Sequence, residues 1–301
     1  MYRILLAFSA LFIATLMSCT TPEKPLKYAM GLNIPPGWVA PEVTEPHNFS
    51  FLGMPETFDW RSKGLSPVEN QGSCGSCWAF AATSVLEDIA TLTTGVPADY
   101  SEQYLVDCNK EGWGCQGGWV PHDYHKSKGH KGTHSGSAYP YQGREGSCKN
   151  LPVVDKIRDW KYVQNNPEQI KQAIFNYGPV FTVLYVDSTL QGYSGGVFSQ
   201  CSTGQSNHAV TLVGWGKDYW IMKNSWGPQW GESGYMRIKF GCNNIGENTS
   251  YVVHENKLNP APEPEPKPKP RPRPRPRPRP NPEPKPDKDK DKCCCKCVEC
   301  G

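Results

Sequence analysis

Cys77, His208 and Asn224 are residue types that can form a nucleophilic site, and Gln71 stands a short way ahead of the first. A free cysteine, with a pKa of about 8.5, is mostly thiol at neutral pH. A nearby imidazolium and a helix N-terminus both favour the thiolate. The stretch "QGSCGSCWAF" carries two cysteines three positions apart, Cys74 and Cys77. Cys77 opens a helical pattern, whereas Cys74 lies in the glycine-rich loop before it, so position favours Cys77 as nucleophile. The histidine needs a neutral acceptor on its other nitrogen to fix one tautomer, and Asn224 suits that. Gln71 offers a side-chain N–H ahead of the same helix. With the backbone N–H of Cys77 it would form an oxyanion hole, each donor worth on the order of 3 kcal/mol at the transition state. Such a set attacks a peptide carbonyl.

Other readings of these residue types are weaker. Cys74 and Cys77 also make a C-x-x-C, as in a redox dithiol or half a zinc site. No second C-x-x-C with suitable histidines lies in the core sequence, and no thioredoxin-like strand order is visible. His122, His125, His130 and His134 crowd a glycine-rich stretch that reads as a solvated surface loop rather than a metal site. The sequons at Asn48 and Asn248 read as chance occurrences.

The elements that must position the site follow from periodicity. Trp78, Ala81, Val85, Ile89 and Leu92 have helical spacing, ended by Gly95 and Pro97. "SEQYLVDC" predicts a short helix opened by Ser101. "NPEQIKQAIFNYG" predicts another, with Asn166 as cap, Pro167 in the first turn and Gly178 as stop. "PVFTVLYV", "HAVTLVGW", "DYWIMKN" and "GYMRIKF" read as strands. A tight turn at Gly216 and Lys217 makes the middle two antiparallel neighbours, with paired positions summing to about 433. His208 and Asn224 then fall within about one residue of facing each other at the open end of that hairpin. Helices early and strands late predict two sub-domains with a cleft between them.

The ends of the chain differ from this core. "MYRILLAFSALFIATLMSC" has one arginine before an apolar run from Ile4 to Met17, too short for a comfortable membrane span and right for a signal peptide over residues 1–18. "LMSC" resembles a bacterial lipobox, with Cys19 as the lipid-bearing residue and hence a membrane anchor. Either reading takes the chain out of the cytosol, to the secreted, cell-surface or periplasmic side, where disulfides persist. From Pro260 nearly every second residue is proline, the composition of a polyproline II rod, with residues 255–292 as a charged linker. The last residues, 293–301, hold five cysteines, suited to cross-linking or a soft metal. Residues 260–301 carry 12 Lys/Arg and 7 Asp/Glu, a charge of +5 in a chain of +3, so the basic balance belongs to the tail. Nucleic acid is excluded as a partner on the expected compartment; an acidic surface polymer fits the tail better.

The three blocks "QGSCGSCWAF", "SNHAVTLVGWG" and "KNSWGPQWGESGY" resemble the signature blocks of the papain family of cysteine proteases. Cys77 precedes His208 by 131 residues and Asn224 by 147, within the family's spacing. "SEQYLVDC", "GCQGGW", "YPYQG" and "GPV" match as well, and the likeness covers residues 55–254. The resemblance implies an α+β, papain-like two-domain fold: a helical left domain and an antiparallel, barrel-like right domain. It implies a cysteine endopeptidase of protein or peptide substrates with a monomeric catalytic domain, acting through a thioester acyl-enzyme and needing no cofactor and no metal.

By the same matching, Cys77 is nucleophile, His208 base and then acid, Asn224 the orienter and Gln71 the oxyanion donor. Trp226 shields the His–Asn hydrogen bond. Gly117 and Gly118 form the edge that binds substrate backbone. Trp119, Val120 and Ser206 line the pocket for the bulky apolar side chain one residue before the scissile one, with Glu247 at its floor. The resemblance pairs Cys74 with Cys115, Cys108 with Cys148 and Cys201 with Cys242. The count agrees: of 13 cysteines, one lies in the leader and five in the tail, leaving three pairs and one free thiol. The sequence departs from the family in one respect. Members carry a helical inhibitory prodomain, but only a short proline-rich segment, residues 19–54, precedes "MPETFDW" here. That segment is expected to act as a propeptide lying along the cleft or to pack on the domain surface. The rival function is a surface scaffold that keeps the fold without using the chemistry; four intact site residues argue against it.

Overall fold

The computed structural model describes residues 26–39, 41 and 54–255. The leader, Cys19, the proline rod and the cysteine tail lie outside the described residues. Those described fall in one compact unit, Met1–Pro264. In chain order the elements are β1 (Phe58–Asp59), α1 (Cys77–Thr94), α2 (Glu102–Cys108), α3 (His122–Lys126), β2 (Ile157–Tyr162), α4 (Pro167–Tyr177) and β3 (Val180–Leu184). There follow α5 (Ser188–Gln191), β4 (Val197–Phe198), β5 (His208–Trp215), β6 (Tyr219–Lys223), β7 (Tyr235–Lys239) and β8 (Glu247–His254).

Local chemistry sets the helix ends. Gly95 stops α1 in the left-handed region, its N–H donating to the Thr91 carbonyl. The Ser101 hydroxyl accepts from the Tyr104 N–H and caps α2. Asn166 accepts from the N–H groups of Glu168 and Gln169 at the start of α4, whose first turn holds Pro167.

One sheet runs β2-β8-β3-β5-β6-β7-β4, with β1 paired to β5 off that path. Its pairs are antiparallel except β4 with β7. Its two end strands, β2 and β4, do not pair with each other, so the sheet stays open and the barrel-like expectation is corrected. With only two residues, β4 adds little edge for closure. α1 lies on one face, against Phe181, Val183, Ala209 and Val252. α4 lies on the other, where Ile170, Ala173 and Ile174 meet Val180, Leu184, Val210 and Leu212. Covered on both faces, β3 and β5 are buried at every position, which is why they read as continuous apolar runs.

A buried ion pair fastens α1 to the sheet: Lys223 Nζ lies 2.8 Å from Asp88 Oδ1, and it also donates to the Ser66 hydroxyl and carbonyl. The β5–β6 hairpin pairs Thr211 with Lys223 and, past a bulge, Trp215 with Trp220. Next to the turn the sum is 435 rather than 433, because the connection runs from Gly216 to Tyr219 rather than centring on Gly216 and Lys217; past the bulge at Val213 it falls to 434. The histidine-rich stretch differs from the solvated loop expected. His122, His125 and His134 are fully buried, and His122–Lys126 forms α3 beneath Trp160 and Phe181.

Candidate active site

The site lies where the N-terminus of α1 meets the open end of the β5–β6 hairpin. Cys77 is the first residue of α1, and the amides of Ala209, Gly31 and Trp78 point at its sulfur. Ala209 follows His208 on β5, so the structure brings Cys77 and His208 to one end of the cleft. His208 Nε2 lies 2.8 Å from Asn224 Oδ1. An amide oxygen only accepts, so Nε2 carries the hydrogen and Nδ1 has a bare lone pair in the neutral ring. That Nδ1 has no hydrogen-bond partner among the described residues. Trp226 lies over the imidazole, ring centroids 4.7 Å apart. Gln71 is held by its oxygen, which accepts from the Ser225 hydroxyl at 2.7 Å, leaving its N–H groups to face the Cys74 carbonyl and the cleft.

Cys74 is bonded to Cys115, which pins the loop before α1 against the Gly117–Gly118 edge. The other two disulfides are Cys108–Cys148 and Cys201–Cys242, and among the described residues Cys77 is the one free cysteine. Gly118 must be glycine: a Cβ there would sit 2.6 Å from the Trp78 ring. Trp119 and Val120 continue that edge into the apolar cluster that holds Cys77. The Ser206 hydroxyl donates to Glu247 Oε2 at 3.0 Å, which brings the Glu247 carboxylate to the pocket residues.

A second piece of chain fills this cleft. The Gly118 N–H donates to the Gly31 carbonyl at 2.9 Å, and the Asn33 N–H donates to the Gly118 carbonyl at 2.8 Å, a parallel bridge centred on Leu32. The Leu32 N–H donates to the Asn207 carbonyl, and its side chain packs in the same apolar cluster as Trp119, Val120 and Val183. Gln71 Nε2 donates to the Ala29 carbonyl at 3.2 Å. Tyr28 stacks on Trp226 at 4.7 Å with the rings 8° from parallel, while its backbone N–H and carbonyl bind the Gln191 amide. Trp38 packs on Trp119 and donates to Asn248 Oδ1. Gly31 passes so near Gly75 that a Cβ on it would lie 1.8 Å from the Gly75 carbonyl oxygen.

This strap changes the electrostatics expected for the thiol. Cys77, His208 and Gln71 are all 0% exposed. Burial pushes the Cys77 thiol up to about 12 and the His208 imidazole down to about 4, against a small upward pull from Asn224. Both groups are therefore neutral in the strapped form. The expected lowering by helix and imidazolium is outweighed, because water that would solvate either charge is gone. Sequence reasoning named the residues that meet here but not the strap's anchors, Gln191 and Asn207, which bear no chemical signature of their own. "YAMGLNIPP" did carry one signal, a lone glycine among apolar residues.

A family model described as papain family cysteine protease matches residues 54–254. Zingipain-2 of Zingiber officinale is 40% identical over 200 residues, which cover 64% of this chain and 90% of that protein. Papain of Carica papaya is 41% identical over 199 residues, covering 64% of this chain and 57% of papain, so the chain spans less than two thirds of that relative. The bromelain protease of Ananas comosus, solved with the E64 inhibitor, superposes with a TM-score of 0.62 at 37% identity, covering 67% of this chain and all of that one. Digestive procathepsin L2 from Tenebrio molitor larval midgut gives a TM-score of 0.63 at 36% identity, covering 66% of this chain and 68% of that one.

Proposed function

The chain belongs to the papain family of cysteine proteases, and we propose that it is a cysteine endopeptidase acting outside the cytosol and kept latent by residues 26–39. The observation that carries the reading is the 2.8 Å bond from His208 to Asn224 under Trp226, which leaves Nδ1 bare on the residue next to Ala209, whose amide points at the Cys77 sulfur. Once the strap leaves and water returns, the thiol proton passes to His208 Nδ1. The thiolate, at the N-terminus of α1, adds to the scissile carbonyl. Gln71 Nε2 and the Cys77 N–H stabilise the oxyanion. His208 then protonates the leaving amine, giving a thioester at Cys77. Water activated by His208 hydrolyses it. Three disulfides and the signal-like N-terminus support an oxidising compartment.

The strap's direction supports latency. In a substrate the pocket side chain comes before the scissile bond. In the strap Leu32, the pocket occupant, comes after Ala29, whose carbonyl faces Gln71. The strap thus runs opposite to a substrate and offers no bond for productive attack. Leu32 also supports a preference for a bulky apolar residue in that pocket, with Glu247 at its margin admitting a basic one. The rod and cysteine tail are read as a spacer and an attachment.

The test is cleavage of a fluorogenic peptide with leucine before the scissile residue, with titration by E-64. The expected result is stoichiometric labelling at Cys77, activity lost in step, and background activity in Cys77→Ala. Labelling without turnover in the strap-free enzyme would instead favour a scaffold that keeps the fold.

A further inference from the structure

Outside the cleft, the described residues bring one group of metal-type ligands together: Cys108, Cys148 and His130, whose ligand atoms all lie within 4.8 Å of one another. Cys108 ends α2 and is buried; Cys148 lies on an exposed loop; the two are disulfide-bonded. His130 Nε2 lies 3.8 Å from Cys148 Sγ.

The state of His130 follows from a relay. His134 Nδ1 lies 2.8 Å from the Pro152 carbonyl, which only accepts, so this nitrogen carries the hydrogen. In the neutral ring His134 Nε2 is then an acceptor. It lies 2.8 Å from His130 Nδ1, which must donate to it. That leaves His130 Nε2 with a bare lone pair aimed at the disulfide. Tyr104 stacks on the His130 ring, and the Tyr104 hydroxyl accepts from the His130 backbone N–H, so ring and loop are fixed. A histidine whose second nitrogen donates to a fixed acceptor has the support that metal-binding histidines have in proteins. A disulfide makes no use of it.

We propose that reduction of Cys108–Cys148 turns this corner into a site for a zinc-type divalent cation, held by both thiolates and His130 Nε2, with water as fourth ligand. The reductant is a small thiol. One equivalent attacks the exposed Cys148 sulfur; the S–S bond breaks and Cys108 leaves, taking a proton. A second equivalent attacks the mixed disulfide on Cys148 and releases it as a thiol, the reductant departing as its own disulfide. The cation then displaces both thiol protons to solvent. Two thiolates and one imidazole around a divalent ion leave a neutral, tetrahedral arrangement that suits zinc.

The site would have a use in this molecule. Conditions that keep Cys77 a thiol also attack an exposed disulfide. A cation would then hold the end of α2 to the 148 loop while Cys77 stays free. The inference stands apart from the peptidase reading and does not depend on turnover.

The test uses the full-length chain with Cys77, Cys19 and the five tail cysteines changed to serine, so that these cannot bind metal. Co²⁺ is titrated in as a coloured stand-in for zinc, with and without a phosphine reductant. The expected result is one Co²⁺ per reduced chain, with thiolate-to-cobalt and tetrahedral d–d bands absent from the oxidised chain. Those bands should vanish in Cys108→Ser/Cys148→Ser, which retains the other four core cysteines. His134→Ala should keep the band positions but lower affinity about 10–100-fold, as loss of an outer-shell partner does. His130→Ala should lower it at least as much and shift the bands. The proposal is overturned if the bands persist in the double serine variant, if His130→Ala binds as tightly as its parent, if no Co²⁺ binds, or if reduction abolishes the circular-dichroism signature of the fold with Co²⁺ present.

Discussion

His208 and the His122–His125 pair are all fully buried, yet they are buried in different ways. His208 is covered by a strap of chain held by backbone hydrogen bonds, by side-chain hydrogen bonds with Gln71 and Gln191, by the Tyr28 and Trp38 rings and by Leu32. His122 lies under Trp160 and Phe181 with the His125 ring 6.3 Å away, and none of their four ring nitrogens has a hydrogen-bond partner among the described residues. Burial lowers His208 to about 4, His125 to about 4 and His122 to about 3. The same desolvation thus acts in both places; on the proposed reading it is lifted at His208 when the strap leaves, whereas His122 and His125 lie in the core. On the proposed mechanism the His208 imidazole also receives a proton from Cys77. Reversible burial serves chemistry; permanent burial makes the fold sensitive to acid.

The largest effect that sharpens this contrast is on stability against pH. The folded-state values of His122 and His125 lie below the ordinary 6.5. Below 6.5 the unfolded chain therefore binds protons that the folded chain does not. Stability is full above 6.5 and falls with pH until about 3–4. From pH 6.5 to 4 the two together should cost on the order of 5 kcal/mol, at about 1.4 kcal/mol per unit for each group. Chemical denaturation of the wild type and of His122→Phe/His125→Leu checks this: the variant should lose most of the acid slope. An unchanged slope would break the contrast.

Opening of the strap should behave otherwise. Closed, the site holds one proton, on Cys77. Open, it again holds one, on His208. No net proton is taken up, so the open fraction should be nearly flat through the middle of the pH range, read as protection of the Cys77 region from hydrogen exchange. A tenfold rise per unit of acid would show that His208 charges without Cys77 ionising. A smaller effect belongs to Tyr28. Its stack on Trp226 is worth about 1 kcal/mol, so Tyr28→Ala should raise the rate of Cys77 alkylation about fivefold, measured with iodoacetamide.

Much of this was legible in the sequence. α1 followed from apolar spacing and Gly95, and α4 from Asn166, Pro167 and Gly178. The nearness of His208 to Asn224 followed from the hairpin alone, even though the turn lies one residue further along than Gly216 and Lys217 suggested. The strands β2 and β8 were not legible, because charged and polar residues alternate irregularly along "IRDWKY" and "ENTSYVVH" and pairing, not propensity, forms them. The buried state of His122, His125 and His134 was not legible either. Glycine and lysine around them signalled solvent, whereas the rings over His122 come from Trp160 and Phe181 on distant strands and the ring against His134 from Tyr104 on α2. The strap's path depended on contacts with Gly75, Gly118 and Gln191, which no local pattern encodes.

On the proposed reading, residues 26–39 hold Cys77 as a buried thiol. Gly31→Val tests it most directly, since a side chain at Gly31 collides with the Gly75 carbonyl. An overpacking cost of 1–3 kcal/mol should release the strap and leave the core alone. Iodoacetamide alkylation of Cys77 in the full-length chain is predicted to be about 100-fold faster in Gly31→Val than in the wild type, the equivalent of about 2.7 kcal/mol. It should remain fast below pH 6.5, where an unpaired thiol would not react. Equal rates in the two proteins, with the fold intact, would contradict the account.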